Sequence, residues 1–264
     1  MTIMIFVRIL VALVALYLGF ALLAWLIGER VLFQPRRASY RDTAEILKIT
    51  TRNGKRISAL HLASPGARYT LLVSHGNAED LGDDREWYND LRGAGFNVLA
   101  YDYEGYGTSE GRPSDRAAYE DEQAAYDYLT RTLHLSPQQI MVYGRSVGTG
   151  PAVELATREP VAGLVLQSPF LSVFRVLTRI PILPFDHFPN YRRIAAVHCP
   201  LLVMHGREDE VIGFYHGVAL YEMANEPKRY LWVDGAGHND FNVVAHPRYL
   251  LAIKEFAGSL GQRP

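Results

Sequence analysis

The most constraining stretch of the chain is Gly144-Arg145-Ser146-Val147-Gly148, set between the apolar run Gln139 to Tyr143 and a helical pattern from Val147 to Arg158. A strand that turns directly into a helix through Gly-x-Ser-x-Gly forces the serine into a strained backbone conformation. The flanking glycines leave room for strand and helix to approach each other. The serine oxygen then stands at the carboxyl edge of the sheet, where sites in α/β folds form. The helix N-terminus beside it favours developing negative charge. Ser146 is therefore read as a nucleophile, with a chance glycine-rich turn as the competing reading.

The rest of the chain has the rhythm such a turn needs. Glu45 to Thr51 and Lys55 to Ala63 flank Asn53-Gly54, a hairpin signal. Short apolar runs at Thr70–Ser74, Asn97–Tyr101, Gly163–Gln167, Leu201–His205 and Arg229–Val233 read as strands. Helical patterns at Trp87–Ala94, Asp115–Leu133, His216–Asn225 and Tyr249–Leu260 alternate with them. That alternation implies a mostly parallel sheet covered on both faces. One stretch breaks it, an apolar insert over residues 168–198. It is read either as a lid over an acyl pocket, with Phe170, Phe174 and Leu177 as candidate pocket residues, or as an ordinary apolar helix on the sheet.

The N-terminus is different material. Ile9 to Ile27 carries no charge, and as a helix it rises about 28 Å, close to the ~30 Å hydrocarbon core of a bilayer. Arg8 bounds it on one side, Glu29 and Arg30 on the other. Residues 1–30 are read as an uncleaved membrane anchor and residues 31–264 as one catalytic domain. The rivals are a signal peptide cut near Gly19 and Ala21, and a buried helix. Arg30, Arg36, Arg37 and Arg41 outnumber Arg8, which favours a cytoplasmic domain. The short N-terminal tail instead resembles a signal-anchor start, which would export it.

A serine hydroxyl needs a base and an acid that orients the base. Around such an elbow the chain order is Ser, then Asp or Glu, then His. Of nine histidines, His238 follows the last strand in Gly237-His238-Asn239-Asp240, at the same sheet edge. His205 ends a strand and reads as structural; His246 reads as a surface or capping residue. The acid should leave the preceding strand, where Glu208, Asp209 and Glu210 compete. Asp209 suits a loop that turns back toward the histidine. The oxyanion needs main-chain donors: Val147 N–H, after the nucleophile, and Asn77 N–H, in the loop that begins His75-Gly76. Tyr101 to Gly107, at the same edge, reads as a structural loop shaped by glycine.

Composition narrows the partners. Among 264 residues, 27 basic and 28 acidic side chains leave a net charge of -1, which gives no sign of a nucleic-acid partner. The single cysteine, Cys199, rules out an internal disulfide and reads as a small core residue. No metal or cofactor is implied. The expected substrate is an acyl-bearing small molecule, lipid or lipidated molecule, cleaved as an ester or thioester. A peptidase, another hydrolase of the same fold, or a non-catalytic scaffold are the alternatives.

Six strings stand together: HGNAEDLG from His75, YDYEGYGTSEG from Tyr101, GRSVGTGP from Gly144, SPF from Ser168, HGREDEVI from His205 and WVDGAGHND from Trp232. With them the chain resembles the protein depalmitoylases of the α/β-hydrolase fold and their membrane-anchored microbial and fungal relatives, over most of its length after about Leu60. The resemblance implies that fold, and a triad falling on Ser146, Asp209 and His238. In two places the chain departs from the pattern. The depalmitoylases carry a cysteine-rich, lipid-modified N-terminus where this chain has an apolar helix. The elbow here has Arg145 where glutamine is common.

Overall fold

In the computed structural model, which describes residues 2–260, the chain opens with α1 (Thr2–Leu32). This helix runs beyond both ends of the charge-free stretch. By length and composition it can cross a membrane. Most of it is exposed, but Ala21 and Gly28 are buried and face the rest of the protein.

Asn53-Gly54 closes the expected hairpin. Gly54 takes φ +80°, and β1 (Ile46–Thr50) pairs antiparallel with β2 (Arg56–Leu62). The chain continues through β3 (Thr70–Ser74), α2 (Arg85–Gly93), β4 (Asn97–Tyr101), α3 (Asp115–Asp127), β5 (Ile140–Arg145), α4 (Thr149–Arg158) and β6 (Gly163–Gln167). Next come α5 (Val173–Thr178), α6 (Asn190–Arg193), β7 (Leu201–Gly206), α7 (Tyr215–Met223), β8 (Lys228–Val233), α8 (Phe241–Val244) and α9 (Arg248–Ser259). The strands form one sheet in the order β1-β2-β4-β3-β5-β6-β7-β8. β2 meets β4 antiparallel; from β4 to β8 every pairing is parallel.

Side-chain alternation along the strands builds two apolar layers. Leu72 of β3 joins Ala118 and Ala125 of α3 and Val153 of α4 on one face. Its neighbours Leu71 and Val73 join Trp87 and Leu91 of α2 and Phe256 of α9 on the other. With helices on both faces, β3, β5, β6 and β7 are buried almost throughout, which is why they read as continuous apolar runs.

Three segments depart from the expected pattern. The helix expected to run from Asp115 to Leu133 stops at Asp127 and continues as a π turn over Tyr128–Thr132. There Leu133 N–H reaches Tyr128 O at 3.0 Å, and Thr130 Oγ1 donates to Tyr126 O at 3.0 Å, a side-chain bond that competes with regular helix. The helix expected to reach Asn225 ends at Met223, because Asn225 Nδ2 donates to Ala195 O and Val197 O, both at 2.8 Å. The insert holds two short helices, α5 and α6, separated by Phe188. That ring is fully buried against Phe33, Tyr119 and Phe170. Gly150 of α4 makes room for it: a Cβ there would lie 2.4 Å from the ring.

Candidate active site

The turn after β5 is as tight as its sequence implies. Ser146 has φ +52°, in the left-handed region that side chains avoid. A Cβ on Gly144 would lie 2.5 Å from Gly148 O, and one on Gly148 would lie 2.1 Å from Ser74 O. Neither contact is tolerable, so both positions require glycine. Ser146 therefore sits at the carboxyl end of β5, on the sheet edge where the parallel strands β7 and β8 also end.

The loops after β7 and β8 bring two partners to it. His238 Nε2 lies 3.0 Å from Ser146 Oγ, and His238 Nδ1 lies 2.8 Å from Asp209 Oδ2. A carboxylate only accepts, so Nδ1 carries the proton and Nε2 faces the hydroxyl as acceptor. Asp209 is held on every side. Its Oδ1 accepts from Val211 N–H at 3.1 Å and Ile212 N–H at 2.7 Å, and His205 Nε2 approaches Oδ2 at 3.2 Å. Burial alone would raise the Asp209 pKa. The hydrogen bonds from His205 and His238 outweigh it and hold the carboxyl well below its usual range. Glu208 and Glu210 are exposed, and Glu210 only receives His238 N–H, at 3.3 Å. His246 is exposed as well.

His75 is fully buried beneath the loop after β3, with Nδ1 2.7 Å from Gly76 O and Nε2 3.4 Å from Asp102 Oδ1. Burial would lower its pKa, but the neighbouring Asp102 carboxylate raises it by more. Asp102 also accepts from Leu81 N–H at 2.9 Å and from the Tyr40 hydroxyl. The Tyr101 to Gly107 segment thus props up the loop that carries Asn77.

Asn77 and Val147 both line the cavity beside Ser146. Among the described residues Asn77 N–H has no hydrogen-bond acceptor. The Asn77 side chain is fully engaged. Its Oδ1 accepts from Tyr106 Oη at 2.6 Å, Ala78 N–H at 3.0 Å and Gln34 N–H at 3.1 Å; its Nδ2 donates to Leu32 O at 2.5 Å. The amide therefore ties its own loop to the end of α1.

Arg145 braces the same loop from the other side. Its Nη2 lies 3.0 Å from Glu79 Oε1, and Glu79 Oε2 accepts from Gly76 N–H at 3.0 Å. Its Nη1 lies 3.2 Å from Asp84 Oδ1, and its guanidinium lies over Trp87. Burial and the charge of Glu79 push the Asp84 pKa up to about 7, more than Arg145 lowers it. Burial would lower the pKa of Arg145, but Glu79 and Asp84 raise it, so it stays charged.

A cavity of about 640 Å³ opens from Ser146, within the range of small-molecule sites. Ser146, His238, Asn77, Glu79 and Arg145 stand at its polar end. Phe170, Phe174 and Leu177 of the insert line it, and so does one side of α1, from Phe20 to Leu32. That second wall has no counterpart in the sequence reading. Cys199 lies elsewhere; burial pushes its thiol up to about 12 and leaves it inert.

Where α1, α3 and the insert meet, Glu29, Asp115 and His187 bring potential ligand atoms within 4.8 Å of one another. His187 Nδ1 and Asp115 Oδ2 are 2.9 Å apart. Burial would lower the His187 pKa, but Asp115 raises it; the His187–Asp115 pair joins the insert to α3, and Asp115 N–H, 3.3 Å from Glu29 Oε1, ties in α1.

Residues 65–184 match the family described as serine aminopeptidase, S33. The chain is 42% identical over 220 residues to alpha/beta hydrolase domain-containing protein 17B of Homo sapiens, covering 82% of this chain and 76% of that one. It is 43% identical over 220 residues to protein 17C of Mus musculus, covering 81% and 68%. Among solved structures, the Pyrococcus furiosus esterase Pf2001 aligns with a TM-score of 0.72 at 22% identity, over 85% of this chain and 98% of that one. An alpha-beta serine hydrolase homologue from Coxiella burnetii aligns with a TM-score of 0.62 at 20% identity, over 83% and 98%. The architecture is the α/β-hydrolase fold.

Proposed function

The chain belongs to the family of alpha/beta hydrolase domain-containing 17 proteins, and from that premise we propose that it is a membrane-anchored serine hydrolase that cleaves acyl esters or thioesters through an acyl-serine intermediate. The observation that carries this is the unbroken line from Ser146 Oγ through His238 to Asp209, opening onto an apolar cavity.

Ser146 Oγ attacks the acyl carbonyl as His238 Nε2 takes its proton. The carbonyl π electrons move onto oxygen, and Val147 and Asn77 N–H groups stabilise that oxyanion. Its collapse expels the alcohol or thiol, to which His238 returns the proton, and leaves Ser146 acylated. Water then repeats the sequence, with His238 again as base, and releases the carboxylic acid. Asp209 stays ionised, keeps the proton on Nδ1 and stabilises the imidazolium. Each step is completed by protein groups and water.

Hydrolysis of a peptide from its free amino terminus would call for a carboxylate free to meet an ammonium group. The one carboxylate lining the cavity among the described residues, Glu79, is bonded to Gly76 N–H and paired with Arg145. An acyl chain suits the remaining lining better. In this reading residues 1–30 are the anchor, residues 31–264 the catalytic domain and residues 168–198 part of the pocket wall. Ser146→Ala should abolish turnover of a p-nitrophenyl ester while the chain keeps its wild-type melting behaviour. A folded mutant with wild-type turnover contradicts the assignment.

A further inference from the structure

The apolar helix does more than hold the protein at a surface. We propose that the C-terminal half of α1 is one wall of the acyl-binding groove, with α5 as the facing wall, and that acyl chains reach Ser146 from the bilayer between the two. The inference rests on the hydrolase reading above and names where its substrate's acyl chain lies.

Phe20, Leu23, Ala24 and Ile27 of α1 border the cavity. They recur at the spacing of one helical face, so a single side of the helix is turned to the site. Val173 and Leu177 of α5 stand opposite. The cavity's polar groups gather around Ser146, and the walls leading away from it are apolar. That is the shape of a groove for a polar head with a hydrocarbon tail.

The C-terminal half of α1 is fastened in this position. Tyr17 Oη donates to Ile182 O at 3.0 Å, and a Cβ on Gly28 would lie 2.6 Å from His187 Nε2. Asp115 N–H approaches Glu29 Oε1 at 3.3 Å, and Asn77 Nδ2 holds Leu32 O at 2.5 Å. The residue that carries the proposed oxyanion donor also fixes the groove's α1 wall.

The lips of the groove suit a lipid leaflet. Phe20 is 49% exposed and Leu177 78%, and Ile180, two residues past the end of α5, is 62% exposed. Clustered side chains of this kind on one surface mark a lipid or partner contact. Here the neighbouring helix has the length and apolarity of a membrane span, and Phe20 to Ile27 belong both to that span and to the groove wall. The groove therefore opens at the depth of one leaflet.

The test uses the full-length chain in lipid vesicles, with acetate and palmitate esters of one leaving group. Ala24→Trp fills the groove, and Leu22→Trp places the same bulk on an exposed position of α1 that does not line it. Each methylene held in an apolar groove strengthens binding about fourfold. Ala24→Trp should therefore lower the palmitate-to-acetate ratio of kcat/KM at least tenfold, while Leu22→Trp keeps the wild-type ratio. An unchanged ratio in an active Ala24→Trp chain overturns this inference alone. A wild-type chain inert to every ester overturns the hydrolase reading and this one with it. Should Ala24→Trp fail to fold, the wild type decides. A palmitoyl-length fluorophosphonate with a photoreactive diazirine at its tail, bound to Ser146, should crosslink to Phe20–Leu32 or Val173–Leu177. Crosslinks to bulk lipid alone overturn it.

Discussion

His205 lies beneath Asp209 with Nε2 3.2 Å from Oδ2, so the carboxylate that orients His238 is itself steadied by a second, fully buried histidine. His205 Nε2 also donates to Ile212 O at 2.8 Å, which fixes its tautomer. We expect His205→Gln to lower kcat about tenfold with little change in KM, the loss of one bond to a charged acceptor. Asp209→Asn should cost about 1,000-fold or more, because an amide leaves His238 in the wrong tautomer. Steady-state kinetics of both variants check the order; equal losses would contradict it.

The depressed pKa of Asp209 carries a stability signature. Its folded value lies below the ordinary 3.8, so its stabilisation is fully present above about pH 5. It fades as pH falls through 3.8 toward the folded value, where native and unfolded chains are both protonated. The melting-temperature gap between wild type and Asp209→Asn should thus be wide at pH 7 and narrow steadily below pH 4. A gap independent of pH contradicts the account.

Arg145 should be structural rather than chemical. Arg145→Gln leaves Glu79 and Asp84 facing one another without a cation. Breaking a largely buried ion pair by removing one partner costs about 3–5 kcal/mol. Burial and Glu79 push the Asp84 pKa up to about 7, so as pH falls below that it progressively loses the charge that Arg145 compensates. The loss in melting temperature should be larger at pH 8 than at pH 5. An equal loss at both would mean that packing over Trp87, not charge, is what Arg145 supplies.

Membrane attachment should resist extraction. A spanning helix anchors a protein effectively irreversibly, unlike a single lipid chain. Full-length protein should remain in the membrane pellet after a carbonate wash. Recovery in the soluble fraction with a new N-terminus after Ala21 would identify α1 as a cleaved signal.

Much of this was legible in the sequence because it is local. Short apolar runs marked strands, Asn53-Gly54 marked the hairpin, and the elbow string singled out Ser146 as the candidate nucleophile. Asp209 and His238 were readable because each follows an apolar run at the same sheet edge. The bracing was not legible. Arg145 with Glu79, Asn77 with Leu32, and His205 with Asp209 are polar contacts with no periodic signature. The α1 wall was hidden for a related reason: an apolar helix has the same composition whether one side meets lipid or a cavity. The pocket candidates in the insert were readable only as apolar, and their place opposite α1 depends on Phe188 docking into the core.

The most direct test of the central claim is to map where a fluorophosphonate reacts. The account predicts one modified peptide, containing Ser146, no labelling in Ser146→Ala, and strongly slowed labelling in His238→Gln. A label on another residue, or equal labelling of Ser146→Ala, would contradict it.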